Sequence, residues 1–377
     1  MLFVISPNPK IVIMGGGFAG MAALLSLTRY SKKARVPWDI ILIDPGTGHA
    51  LFPEIPQVLE RGLDIHSRIL DFSTLLKGTD VHFRQGRVTQ VDRRHRQVFF
   101  AEGGPLHYDC ALLAVGTQAA FPNVPGLHTH AWPVRTAGDA AHISKWLGHK
   151  PLRRIVIAGG GFTGVELAAS LSDRYQVAVL ERRDALLPNM ARGHGRYALA
   201  YLKASGVGVW LSENIVRVGR RTVYTEEHQL SYDLLIWAGG IKPPNWILES
   251  GIPCGPDGYP IVNAWGQVDD RLFVAGDLWK LKGHSSGQTA QVAEAMGTFI
   301  GKVMAARVLG SGMPRPFHHG AHGMVVSLNR RRGVGWVLMP SVSLHGVVAG
   351  KLKRIALTRY RWTVVRHRRS AKNRRVS

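Results

Sequence analysis

Two six-residue stretches have the composition needed to grip a pyrophosphate: Gly15-Gly16-Gly17-Phe18-Ala19-Gly20 and Gly159-Gly160-Gly161-Phe162-Thr163-Gly164. In a Gly-x-Gly-x-x-Gly turn the first glycine permits the tight bend. The second lets a phosphate approach the backbone, and the third lets the following helix close on the preceding strand. Both stretches follow apolar runs, Ile11–Met14 and Ile155–Ala158, and both open onto helix formers, the second through Leu171. A further strand-like run then ends in an acid: Ile40–Ile43 before Asp44, and Val177–Leu180 before Glu181. A carboxylate there accepts hydrogen bonds from ribose hydroxyls. One such turn alone is a weak signal, but two copies, each with its own acid, predict two dinucleotide sites in one chain. Glu181 favours NADH, because a carboxylate repels a 2′-phosphate; the adjacent Arg182 and Arg183 soften that preference.

Two sites of this kind need two domains, and 377 residues with 45% hydrophobic content suffice for two plus an appendage. Only two cysteines are present, Cys110 and Cys254, which excludes a disulfide framework and a Cys-x-x-Cys redox pair. Redox chemistry therefore needs an added cofactor. The opening MLFVISPNPK is broken by Pro7 and Pro9, too short an apolar run for a signal peptide. No window reaches the roughly 18 apolar residues of a membrane span. The histidine-rich Phe317–His322 lacks carboxylates and a second ligand motif, so no metal site is expected.

The order of motifs resembles the two-dinucleotide-binding-domain flavoproteins, and within them the type II, non-proton-pumping NADH dehydrogenases. Besides the two turns, the similar stretches are HALFPEIPQVLERG (His49–Gly62), YDCALLAVGT (Tyr108–Thr117), YDLLIWAGGIKPP (Tyr232–Pro244), RLFVAGDLW (Arg271–Trp279) and TAQVAEAMG (Thr289–Gly297). The resemblance implies an α/β fold of two Rossmann-like domains. FAD would be held by 1–119 and 244–325, NADH by an inserted 120–243, and 326–377 would be a membrane-association segment. The Gly/Pro-rich stretches 121–126 and 239–244 suit such crossings. It implies FAD contacts from Gly15, Gly17, Phe18, Ala19, Gly20, Asp44, Gly116, Thr117, Gly276, Asp277, Ala290 and Gln291, with Asp277 on the ribityl chain. It implies NADH contacts from Gly159, Gly161, Phe162, Thr163, Gly164, Glu166, Glu181, Gly239 and Gly240. The resemblance makes Glu166 and Gln291 the expected catalytic residues: Glu166 near the nicotinamide and flavin, positioning the nicotinamide or relaying a proton, and Gln291 facing the acceptor pocket. A helix over Ser286–Met304 would aim its positive N-terminal end at the flavin pyrimidine. The implied reaction passes hydride from NADH to N5 of FAD and then two electrons to a membrane quinone. Where the family commonly carries glutamines, this chain has Ala295 and Met296. Sulfide:quinone oxidoreductases are relatives that use paired cysteines, but neither cysteine here follows a matching motif.

The net charge of +23 is uneven: from Ala295 onward there are seventeen Lys and Arg and no acid. In Val347–Val365, Val348, Leu352, Ile355, Ala356, Tyr360 and Val364 share a side at helical spacing, with Lys351, Lys353, Arg354, Arg359 and Arg361 mostly elsewhere. This reads as a basic amphipathic helix in an anionic lipid surface, on the cytoplasmic face of the cell membrane. Arg366–Arg375 is expected to be a disordered extension. Two other classes fit a basic flavoprotein: a reductase of a protein electron carrier, or an apoptosis-inducing-factor-like binder of nucleic acid. Aromatic interleaving in the tail is thin, so no specific nucleic acid is expected. A homodimer is allowed.

Overall fold

The computed structural model describes residues 8–34, 38–148, 154–280, 288–318, 323–339 and 341–372, with side chains to 365. The β-branched run Lys10–Met14 lies at the centre of a five-stranded sheet. Its order is Leu272–Val274, Cys110–Leu113, Lys10–Met14, Asp39–Asp44, Val81–Gln85, with every pairing parallel. A second parallel sheet repeats this plan: Ala131–Pro133, Leu234–Trp237, Arg154–Ala158, Gln176–Glu181, Gly208–Leu211. A three-stranded antiparallel meander accompanies each, Val88–Asp92 to Leu106–His107 and Ile215–Val218 to Gln229–Ser231. The central strands Lys10–Met14 and Arg154–Ala158 are buried on both faces, which is why they read as continuous apolar runs.

The first sheet receives its edge strand from beyond the second. The chain leaves through Gln118–Ala119 and returns through Ile241–Lys242, and these two segments pair antiparallel. Trp237 Nε1 donates to the Ala120 carbonyl at 2.9 Å across the same crossing. Residues Ile55, Val58, Leu59 and Ile65, from the first half, are buried in the apolar cluster of the second sheet.

The helix Ala290–Leu309 begins at Thr289, whose side chain accepts from the Val292 N–H at 3.3 Å, and ends at Gly310. Its start lies four residues later than expected; 281–287 fall outside the described residues. It packs on the helix Phe18–Ala34, and a Cβ at Gly297 would overlap the Ala19 carbonyl. That close approach fixes where its N-terminus lies.

The region 326–377 differs from a simple surface segment. Gly323–Ser327, Gly333–Val337 and Ser343–His345 form an antiparallel sheet. It docks on the second half through buried Val326, Leu328 and Val334, and through His194 Nε2 to the Gly335 carbonyl at 2.8 Å. A helix, Gly346–Lys372, follows, so 366–372 continue a helix rather than a disordered extension. Beyond Lys372, and for His319–His322, the expectations lie outside the described residues.

The apolar stripe read from 347–365 divides in two. Tyr360 and Val364 are buried in the core around the first sheet, and Ala349, one turn into the helix, is also buried. Val348, Leu352, Ile355 and Trp362 face outward. A period of 3.6 groups residues by angle, but two apolar faces on one helix blur into one broad stripe.

Candidate active site

The two glycine turns are built alike. Gly15 and Gly159 take φ of 103° and 119°, conformations open to glycine, and each donates its N–H to the end of the next strand, Gly15 to Ile43 at 2.7 Å and Gly159 to Leu180 at 2.8 Å. A Cβ on Gly20 or Gly164 would overlap the carbonyl of Gly15 or Gly159, so the helix sits directly on the turn. At Gly17 and Gly161 nothing lies within 4 Å of such a Cβ. A Cβ on Gly16 or Gly160 would overlap the Phe72 ring or the Leu186 side chain, so three glycines of each set are required by the protein's own packing, and the remaining one leaves a backbone face open to a ligand. This is a cradle that fits a pyrophosphate.

Asp44 and Glu181 hold the turns. Asp44 Oδ2 accepts from Gly16 N–H at 2.7 Å and Oδ1 from Gly46 N–H at 2.7 Å. Glu181 Oε2 accepts from Gly160 N–H at 2.6 Å and Oε1 from Arg183 N–H at 2.9 Å. Burial pushes the Asp44 carboxyl up, against these backbone hydrogen bonds. Each carboxylate keeps lone pairs for a ribose hydroxyl.

Asp277 and Thr117 are brought together by a residue the sequence reading missed. Arg135, just before the helix Ala137–Leu147, pairs with Asp277 Oδ2 and donates to Thr117 Oγ1 at 2.8 Å and to the Thr117 carbonyl at 3.3 Å. Its guanidinium also faces the Phe52 ring at 5.6 Å. Gly276 adopts φ of 71° beside Ala19, placing Asp277 against the first glycine-turn helix. Gly116 and Gly240 line the crossings, and a Cβ at Gly239 would press on the Trp237 ring at 2.6 Å. Phe162 and Thr163 are half-buried at the start of their helix.

Glu166 is buried in that helix. Its Oε1 accepts from the Ser327 N–H at 2.8 Å and pairs with Lys353 of the C-terminal helix, itself only 14% exposed. Lys353 is thus an inward-facing residue rather than part of a lipid-facing surface. Gln291 is exposed and Ala290 half-buried in the first turn of their helix. Among the described residues no hydrogen bond or ion pair links Gln291 to Glu166. Met296 is buried and Ala295 half-buried.

The first turn has a further contact. His49 Nδ1 lies 2.9 Å from the Gly16 carbonyl and Nε2 lies 3.0 Å from the Tyr360 hydroxyl. Full burial pushes the imidazole pKa down to about 4 from 6.5. The unfolded chain therefore binds the extra proton first. The stability His49 provides is present above about pH 6.5 and is lost as pH falls toward 4, by about 3 kcal/mol at most. Melting temperature followed against pH should show that acid limb, and His49→Gln should flatten it.

Neither cysteine is set up as a thiolate. Cys110 is buried in the first sheet with its thiol pushed up to about 12, and Cys254 donates to the Ile252 carbonyl. Away from the turns, Glu213, Glu227 and His228 bring three candidate ligand atoms within 4.8 Å, but His228 Nδ1 already pairs with Glu213 at 2.7 Å.

Residues 9–297 match the profile of the pyridine nucleotide-disulphide oxidoreductases. The chain belongs to that family. This family assignment covers both glycine turns, Glu166 and Asp277. Among curated relatives it is 29% identical over 72% of each chain to the demethylphylloquinone reductase NdbB of Synechocystis. It is 26% identical to the NADH dehydrogenase-like protein YutJ of Bacillus subtilis, over 87% of this chain and 92% of that one. In fold it superposes on NDH2 of Plasmodium falciparum, solved with NADH, with a TM-score of 0.80 and 16% identity over 97% of each chain. The chain is an oxidoreductase of this family.

Proposed function

We infer that this oxidoreductase is an FAD-dependent NADH:quinone oxidoreductase acting at a membrane surface. The observation that carries the reading is the doubled turn, each copy with its own carboxylate and its own open glycine. Two dinucleotides bound by one chain suit transfer between them. A relative named as a demethylphylloquinone reductase supports a quinone as acceptor, and one named as an NADH dehydrogenase-like protein supports NADH as donor. The first turn, with Asp44, Thr117, Gly276 and Asp277, holds FAD; the second, with Glu181, holds NADH. When bound, the flavin supplies a hydride acceptor that also releases electrons to a quinone. The chain's own work is placement: the glycine amides orient the two pyrophosphates, and Arg135 fixes Asp277 and Thr117 toward the ribityl chain. Glu166, held by the Ser327 N–H and by Lys353, places the nicotinamide side. Glu181 selects NADH by repelling a 2′-phosphate. Anaerobic mixing tests this order: NADH bleaches the flavin in one turnover, NADPH does so at least roughly tenfold more slowly, and a short-chain quinone restores the oxidised spectrum. Flavin that is not bleached by NADH contradicts the reading.

The outer face of the C-terminal helix supplies the membrane contact. Val348, Leu352, Ile355 and Trp362 are 58%, 36%, 64% and 55% exposed, and Leu338, Met339 and Val342 lie exposed on the preceding turn. Lys351, Arg354 and Arg359 flank the stripe, each adding about 1 kcal/mol near an anionic surface. No described helix is long and apolar enough to cross a bilayer. Binding to anionic vesicles should weaken about tenfold or more in Ile355→Asp, and should weaken with salt. Flotation of vesicles with bound protein measures it. Equal binding by the variant, or preference for duplex DNA, contradicts this surface.

A further inference from the structure

We propose that Tyr360 and His49 latch the C-terminal helix onto the first glycine turn, so that docking of this helix sets how tightly FAD is held; the inference rests on assigning that turn to FAD. The chemistry of the contact fixes its direction. The Gly16 carbonyl only accepts, so His49 Nδ1 carries the hydrogen, and Nε2 then accepts from the Tyr360 O–H. In a trans peptide the C=O and the following N–H point opposite ways. Holding the Gly16 carbonyl on His49 therefore aims the Gly17 N–H away from His49, and Gly17 is the glycine whose ligand side is open. Tyr360 also lays its ring on Phe18, with centroids 4.5 Å apart. The helix thus grips the residues on both sides of Gly17.

The second turn provides the comparison. There the corresponding carbonyl, Gly160, receives the Leu187 N–H at 2.8 Å, a local backbone bond. The same carbonyl is held in two ways in two copies of one turn. In the second the hold is built into the turn's own half. In the first it passes through a buried imidazole to a hydroxyl 311 residues away in sequence. NADH must leave at each turnover, whereas a flavin must stay. A latch on the flavin turn alone matches that difference, and Tyr360 and His49 are positioning residues for the cofactor.

The test uses full-length protein loaded with FAD, and follows FAD release as the rise in free-flavin fluorescence after dilution. Tyr360→Phe removes one oxygen and keeps the ring on Phe18. It should release FAD about tenfold faster, the effect of one buried hydrogen bond. His49→Gln should also speed release, and the double variant should be no faster than the faster single one, because both break the same chain of bonds. The effect should fall on flavin release and leave the KM for NADH in place; a general loosening of the fold would raise both. Release from Tyr360→Phe at the wild-type rate, or a double variant whose effect is the product of the two singles, overturns the latch while leaving the FAD assignment standing. A wild-type chain that binds no FAD overturns the assignment, and the latch with it.

Discussion

Lys353→Met is expected to lower stability by about 3 kcal/mol or more, because it leaves the buried Glu166 carboxylate with only the Ser327 N–H. For a chain of this size that corresponds to a fall in melting temperature of roughly 4 °C. Combining Lys353→Met with Glu166→Gln should recover most of the loss, since removing both charges removes the desolvation problem along with the attraction. Calorimetry of the two single variants and the double gives the coupling directly. Equal melting of wild type and Lys353→Met would mean that the pair does not hold the C-terminal helix to the second glycine-turn helix.

Gly161→Val and Gly17→Val should each remove one nucleotide and spare the other. Gly161 has φ of −75°, which valine adopts without strain, and open space where the Cβ would go. Gly161→Val should therefore fold, retain FAD and raise the KM for NADH by at least about 100-fold, because the new methyls occupy the approach of the pyrophosphate. Gly17→Val should instead lose FAD. Gly164→Val is the contrasting case, since its Cβ would overlap the Gly159 carbonyl; it should unfold the second half rather than block it. Flavin content, melting temperature and NADH kinetics on the three variants separate these outcomes. If Gly161→Val and Gly17→Val lose the same nucleotide, the division of the two turns between FAD and NADH is wrong.

What could be read from the sequence is what backbone geometry spells in residue type. A turn that needs a positive φ, a close helix and an open phosphate face calls for glycine at fixed spacing, so Gly15, Gly17 and Gly20 and their second copies announce themselves. Asp44 and Glu181 follow because each lies at a fixed place one strand later. Arg135, His49, Tyr360 and Lys353 carry no such mark. Each acts only because the fold brings it to a partner far away in sequence, Arg135 to Asp277 and Lys353 to Glu166. The C-terminal helix shows the same limit in another form. Its apolar residues were evident, but Tyr360 and Val364 turn toward the protein and Ile355 and Trp362 away from it, and only the packed structure tells the two faces apart. Its continuation to Lys372 was likewise hidden by a basic composition that reads as disorder.

The most direct test of the central claim is anaerobic steady-state oxidation of NADH by the FAD-loaded chain, with and without a short-chain quinone. The account predicts many turnovers with quinone, a single reduction of the flavin without it, and loss of that activity in Gly161→Val. A flavin that NADH reduces once, and that no quinone then reoxidises, would contradict it and move a protein electron carrier into the place of the quinone.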